Sequence, residues 1–241
     1  MSSKLKKNKT HAAEKQEFKR EEKKAHKILL IIGIVVAAVL IGIVVWDAVK
    51  DSIQRSPKGA PASEGSVPDA MKEVPVSHYA DIVIKDYGTI TVALSEDTAP
   101  ITVNNFVSLA ESGFYNGLTF HRIMDGFMMQ GGDPDGNGTG GSGTTIKGEF
   151  SNNGVENPIS HIRGTISMAR NSVSMDSASS QFFIMQSDNT GLDGSYAAFG
   201  FVVSGIEVVD KVCADAKPTD NNGTIRPEEQ PVIESITIRK A

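Results

Sequence analysis

A single cysteine, Cys213, stands among the 241 residues. No internal disulfide can form, so the fold must be held by its core. Redox chemistry therefore leaves the compartment open, because a chain without disulfides folds on either side of a membrane. Aromatic residues are scarce as well, at 6% of the chain, and Trp46 is the only tryptophan. The five histidines never adopt zinc-site spacing, and no Gly-x-Ser-x-Gly elbow is present for a serine hydrolase. Two glycine-rich signatures start and then fail. Gly136 to Gly141 satisfies G-x-G-x-x-G, but Ser-Gly-Thr-Thr-Ile-Lys follows it, which is no helix start for a dinucleotide. Asp133-Pro-Asp135-Gly-Asn137-Gly138 opens like an EF-hand loop, yet Thr144 stands where the bidentate Glu belongs. A solvated acidic turn is the plainer reading. There are no internal repeats. Glycine itself is plentiful, at 23 residues, which points to a loop-rich, β-leaning domain.

Charge is unevenly spread. Residues 1–27 hold ten Lys/Arg against four Glu, and the rest of the chain carries a net −11. An acidic main domain argues against nucleic-acid binding, which needs a basic face. Residues 28–46 run from Ile28 to Trp46 without a charge. As a helix they would rise ~28 Å, close to the hydrocarbon thickness of a bilayer. The run is longer than a signal peptide's apolar core, and Trp46-Asp47-Ala48-Val49-Lys50 makes a poor cleavage site. Absence of a nearby cysteine excludes a lipoprotein anchor. A buried core helix is the alternative, against which apolarity on every face speaks. The expectation is a single-pass anchor in the cell membrane. Its basic N-terminal flank lies in the cytoplasm and the remainder is extracytoplasmic. Residues 47–75 are rich in Pro, Ser, Gly and Ala and read as a flexible linker.

The globular part is expected over residues 76–241. Ile82, Ile84, Ile90, Val92 and Leu94 alternate around Asp86-Tyr87-Gly88, as in a β-hairpin. Thr98-Ala99-Pro100 reads as an N-cap with proline in the first turn, and Gly113 ends that helix. Short apolar runs follow at 127–130, 164–169, 181–186 and 198–203. Ile206, Val209 and Val212 suggest a second helix, and Val232, Ile236 and Ile238 a last strand. Many short strands and two helices make an antiparallel barrel or sandwich.

Five ordered blocks carry more specific information: FHRIMDGFMMQGGD (Phe120–Asp133), NGTGG (Asn137–Gly141), SMAR (Ser167–Arg170), SSQFFI (Ser179–Ile184) and LDG-x-Y-AAFG (Leu192–Gly200). In these the chain, from about Ala80 to its end, resembles the cyclophilin-type peptidyl-prolyl cis-trans isomerases, as a membrane-anchored, bacterial-like member. The resemblance implies a closed eight-stranded antiparallel β-barrel capped by two helices. It also implies isomerisation of X-Pro bonds in Pro-containing polypeptides, here during folding of exported proteins. No cofactor or metal is implied, and the molecule is expected to be a monomer.

The resemblance assigns roles as well. Arg122 would donate to the imide nitrogen of the twisting bond. Phe127, Met128, Phe183 and Leu192 would line the proline pocket. Gln130 would hold a substrate carbonyl with Gln181 beside it, and Ala169 and Arg170 would present backbone to the residue before proline. His121 would be a buried structural histidine. Three positions depart from the family's common pattern. Gly191 stands where an indole is frequent, Tyr196 where His is frequent, and Arg170 where Asn is frequent. Tyr196 still offers a flat ring and a hydroxyl to the substrate, whereas cyclosporin-type inhibitors, which use the indole, are expected to lose a wall. Two other readings stay open: a low-turnover chaperone or binding module for Pro-containing segments, and a scaffold for an envelope complex.

Overall fold

A computed structural model describes residues 72–241. The basic segment, the apolar run and nearly all of the linker lie outside those residues. Within them no helix is long and apolar enough to cross a membrane.

Among the described residues eight strands and two α-helices follow in order: β1 (His78–Ile84), β2 (Gly88–Leu94), α1 (Pro100–Glu111), β3 (Arg122–Met124), β4 (Met128–Gly131), β5 (Thr165–Met168), β6 (Phe182–Met185), β7 (Ala198–Ser204), α2 (Ile206–Asp215) and β8 (Ile233–Lys240). Every pairing is antiparallel, in the order β3-β4-β6-β5-β7-β2-β1-β8. The expected hairpin is β1–β2, with Ile82 opposite Ile90. Its turn needs two unusual backbone angles, φ 65° at Asp86 and φ 129° at Gly88, the second natural only to glycine.

One expectation is corrected. The barrel is not closed by a strand ladder, since β3 and β8 end the sheet. Isolated bridges, Thr119 to Val232 and Arg122 to Thr224, join the two edges instead. Phe120 N donates to Pro231 O at 2.9 Å and Ile123 N to Gly223 O at 2.8 Å across this seam. Pro231 has no N–H to return, and a 3-10 turn at Pro227–Glu229 precedes it, so a regular ladder cannot propagate.

The inner faces and the two helices enclose the core. From α1 come Val103, Phe106 and Ala110; from α2 come Val209, Val212 and Cys213. Phe106, Tyr115, Phe120, Phe182 and Phe199 pack there with ring centroids 5.2–5.9 Å apart. Cys213 is buried, and burial, aided by Asp125 and Asp210, pushes its thiol pKa up to about 12.

The start of α1 also departs from the sequence reading. Ala99 is the N-cap and carries no capping side chain, while Thr98 bonds Ser95. Buried Glu149, from a distant loop, accepts Ile101 N at 3.0 Å, Thr102 N at 2.8 Å and the Thr102 hydroxyl at 2.7 Å. It satisfies the orphan donors of the first turn and places a negative charge at the helix's positive end.

Asp133 explains the glycine-rich run. Its buried carboxylate accepts the N–H groups of Asp135, Asn137 and Gly138, so the loop winds around an anion already satisfied by backbone. Burial alone would raise its pKa; these hydrogen bonds outweigh that and lower it. Among the described residues no group of His, Cys, Asp or Glu could hold a metal.

Candidate active site

Side chains alternate across a strand, and here the alternation divides core from surface site. Ile123, Met129, Phe182 and Ile184 point inward and belong to the main core. Their neighbours on β3, β4 and β6 point outward. In register, Arg122 lies opposite Gln130, which lies opposite Phe183, which lies opposite Ser167 of β5. Met124, Met128 and Met185 form the next row.

These outward apolar residues form a cluster separate from the core. Met128, Phe183 and Met185 are its buried members, with Met124, Phe127, Ala169, Leu192 and Tyr196 packed around them. The structure thus brings together Phe127, Met128, Ala169, Phe183, Leu192 and Tyr196 of the residues singled out by sequence. Leu192 arrives on a 3-10 turn, Thr190–Leu192, whose Gly191 is exposed. Met124 and Met185 were not foreseen; an outward-facing methionine looks in sequence like one more core residue.

Arg122 borders this cluster. Its Nε donates to Asn222 O at 2.8 Å and its Nη1 to Gln130 Oε1 at 3.2 Å. The other guanidinium contacts are sulfur atoms, Met124 Sδ at 3.3 Å and Met128 Sδ at 3.9 Å. Burial pulls its pKa below the ordinary arginine value, opposed by Tyr196 and Asp220. Arginine titrates so high that the cation persists. The 219–224 loop that supplies Asn222 O is closed by Asp220, which accepts from Asn222 N, Thr224 N and the Thr224 hydroxyl. No sequence signal marked that loop.

The polar chain continues from Arg122. Gln130 Nε2 donates to Gln181 Oε1 at 2.9 Å, and Gln181 Nε2 to Gly140 O at 2.9 Å. Two recesses flank Gln130. One, of about 160 Å³, is lined by Gly140, Ala169, Arg170 and Ser177 among others. The second, of about 280 Å³, is lined by His121, Arg122, Asn137 and Thr224. His121 is buried as expected, yet neither ring nitrogen has a hydrogen-bond partner among the described residues. Burial lowers its pKa, with Asp133 opposing and Arg122 assisting.

Behind Phe183 stands a brace that sequence reasoning missed. The His161 ring stacks on Phe183 at 5.9 Å and 19°, and Tyr196 meets Phe183 edge-on at 5.6 Å. His161 Nδ1 lies 2.8 Å from Asp193 Oδ1 and its Nε2 3.1 Å from Ser167 Oγ. Burial lowers the His161 pKa against the pull of Asp193, so the ring is neutral near pH 7. With Ser167 fully buried, the Ser-His-Asp arrangement is a support and not a nucleophile.

Arg170 does more than offer backbone. Its guanidinium lies between the rings of Phe150 and Tyr196, 5.3 and 5.0 Å from their centroids. Its Nε donates to Ser195 O at 2.8 Å and its Nη1 to Asn171 O at 2.9 Å.

An outer face combining an apolar cluster, a fixed cation and amide anchors suits an uncharged, partly apolar polypeptide. The family model described as cyclophilin type peptidyl-prolyl cis-trans isomerase/CLD matches residues 79–238. Peptidyl-prolyl cis-trans isomerase A of Dickeya dadantii is 43% identical over 64% of this chain and 80% of its own length. Peptidyl-prolyl cis-trans isomerase B of Bacillus subtilis is 46% identical over 52% of this chain and 83% of its own. A solved structure is similar too, with TM-score 0.59 and 29% identity, covering 68% of this chain and 99% of the other. It is a Cryptosporidium parvum cyclophilin type peptidyl-prolyl cis-trans isomerase in the presence of the dipeptide Ala-Pro.

Proposed function

The chain belongs to the cyclophilin-type peptidyl-prolyl cis-trans isomerases and catalyses X-Pro isomerisation without a cofactor, and we propose that its outer β3–β4–β6 face performs this reaction on exported, Pro-containing polypeptides. Amide resonance sets a rotation barrier of ~18–20 kcal/mol, and free X-Pro bonds exchange in tens to hundreds of seconds. No bond breaks, so the task is to bind the twisted state more tightly than either planar one.

The proline ring lies on Phe127, Met128, Phe183 and Leu192, with Tyr196 at the rim. Gln130 donates to a substrate carbonyl, supported by Gln181, and the Ala169–Arg170 backbone holds the preceding residue. Twisting localises the lone pair on the imide nitrogen. Arg122 then donates to it and strengthens only in the transition state. The observation that carries this reading is the Arg122 guanidinium fixed by Asn222 O and Gln130 at the border of an apolar cluster outside the core. The exposed Gly191 favours a second reading, a binding module of low turnover. A prolyl-peptide isomerisation assay separates them. The wild-type chain is expected to accelerate exchange over buffer, and Arg122→Ala to lose on the order of 10²–10³-fold in kcat/KM. Absence of acceleration would favour the binding module; parity of the variant would overturn the role of Arg122.

Residues 28–46 anchor this enzyme in the cell membrane, 1–27 stay in the cytoplasm, and a linker over 47–75 carries the monomeric 76–241 domain outside. The uncharged run and its basic flank support this. Protease added to intact cells should cleave the domain, and protection from it would reverse the topology.

A further inference from the structure

Arg170 has a geometry that holding Tyr196 in place does not use up. The described arginines fall into different roles. Arg163 is paired with Asp210 at 2.6 Å and Arg239 with Asp81 at 2.8 Å. Arg122 and Arg170, the two at the groove, pair with no carboxylate among the described residues. Two of the three guanidinium nitrogens of Arg170 are committed to carbonyls; Nη2 is not. Two aromatic rings hold its plane, so little side-chain entropy remains to be lost on binding.

Arg170 lines the recess beyond Ala169 and Gln181 and is the only charged residue to do so. Two nearby acids face elsewhere, while exposed Asp135 stands beside Gly140 of the lining without pairing with Arg170. Asp176, next to Ser177 of the lining, accepts from Gly148 N and from Asn153. Asp133 is buried under its own loop. The recess therefore presents a fixed positive charge that no carboxylate pairs, on a domain that is otherwise acidic.

We propose that Arg170 is a specificity-determining residue that selects X-Pro segments carrying an acidic side chain within the two residues before the proline. This rests on the isomerase reading above, in which the Ala169–Arg170 backbone holds the residue before proline. A carboxylate there meets Nη2 at the mouth of the recess; a lysine meets repulsion from the guanidinium, softened only by Asp135 beside Gly140. The site is partly open to solvent, so the preference is modest and screened by salt.

The test measures kcat/KM with the full chain on Ala-Ala-Pro-Phe, Glu-Ala-Pro-Phe, Ala-Glu-Pro-Phe and the two Lys counterparts, at low and high salt. The expected Glu-over-Lys ratio in at least one position is roughly threefold to tenfold at low salt, shrinking toward one at high salt. In Arg170→Gln the ratio falls to near one whatever the variant's absolute rate, and Arg170→Lys, which cannot hold the same plane, recovers only part of it. A wild-type ratio of one overturns the proposal, and so does a ratio that survives Arg170→Gln, which would move the selection to Arg122. Should Arg170→Gln not fold, the wild-type ratio and its salt dependence decide alone. The neutral peptide keeps the two readings apart. If it is not accelerated, the isomerase assignment falls; if it is accelerated without a charge ratio, only this inference does.

Discussion

His121 and His161 are both buried and both held neutral by burial, but they differ in what they touch. The His161 ring bonds Asp193 and Ser167, whereas the His121 ring bonds no described residue. For each, the folded pKa lies below the ordinary 6.5, so the unfolded chain takes up the proton first. Their contribution is complete above about pH 6.5 and is lost as pH falls through and below it. Urea midpoints from pH 8 to pH 5 should therefore decline, and His121→Leu should flatten the decline while costing little at pH 8. His161→Leu at pH 8 should cost about 1–3 kcal/mol, because Asp193 and Ser167 lose a partner; equal costs for the two variants would contradict this. Gly191 invites the opposite change. A Cβ there meets only Asn189 Oδ1, at 3.1 Å, so a side chain needs one small shift. Gly191→Trp should supply an indole wall and tighten cyclosporin binding about tenfold or more by titration, an aromatic burial worth ~1.4 kcal/mol. Arg122, Phe127, Met128 and Gln130 were legible because one contiguous motif holds them. Asn222 and Asp193 were not, since they reach Arg122 and His161 across 100 and 32 residues, a distance only sheet order can close.

At the level of elements, β4, β5 and β6 have four residues each and β3 three, too short for period two to stand out. Pairs such as Met128-Met129 and Phe182-Phe183 are apolar on both faces, so these strands read as wholly buried while one face carries the separate outer cluster of the candidate site. The helices were placed correctly by their apolar spacing, but the cap of α1 was not. Thr98 was the natural local candidate; Glu149, 47 residues from Thr102, is the actual acceptor. Glu149→Ala should leave the first-turn donors of α1 unmatched and destabilise the domain by about 1–3 kcal/mol in chemical denaturation. A loss within error would mean that the helix start relaxes onto another partner. The barrel's expected closing ladder is replaced by isolated bridges and single hydrogen bonds at a similarly local feature, Pro231, which has no N–H to offer. Native-state amide exchange should find Ile123 and Ile225, which donate across the seam, less protected than the amides of β1, bonded on both sides by β2 and β8.

Across the whole described molecule, the apolar mass is divided unequally between one large core and two small clusters outside it, one around Ile159 and Phe201 and the other on the outer side of β4 and β6. Composition could not reveal that division, because the parts draw on the same residue types. The core holds the only thiol, on α2. Reductant should leave the melting temperature unchanged, as no disulfide exists to break. Cys213 should also resist thiol reagents until the fold opens, its pKa of about 12 adding to its burial; rapid labelling of native protein would show that α2 detaches readily. Because α2 packs against β4, whose far side presents Met128 and Gln130, that one sulfur rides on a helix behind the outer face. It is a built-in clock: each labelling event marks one opening of one molecule, and a proline peptide that clamps the outer side of β4 should make the clock run slow.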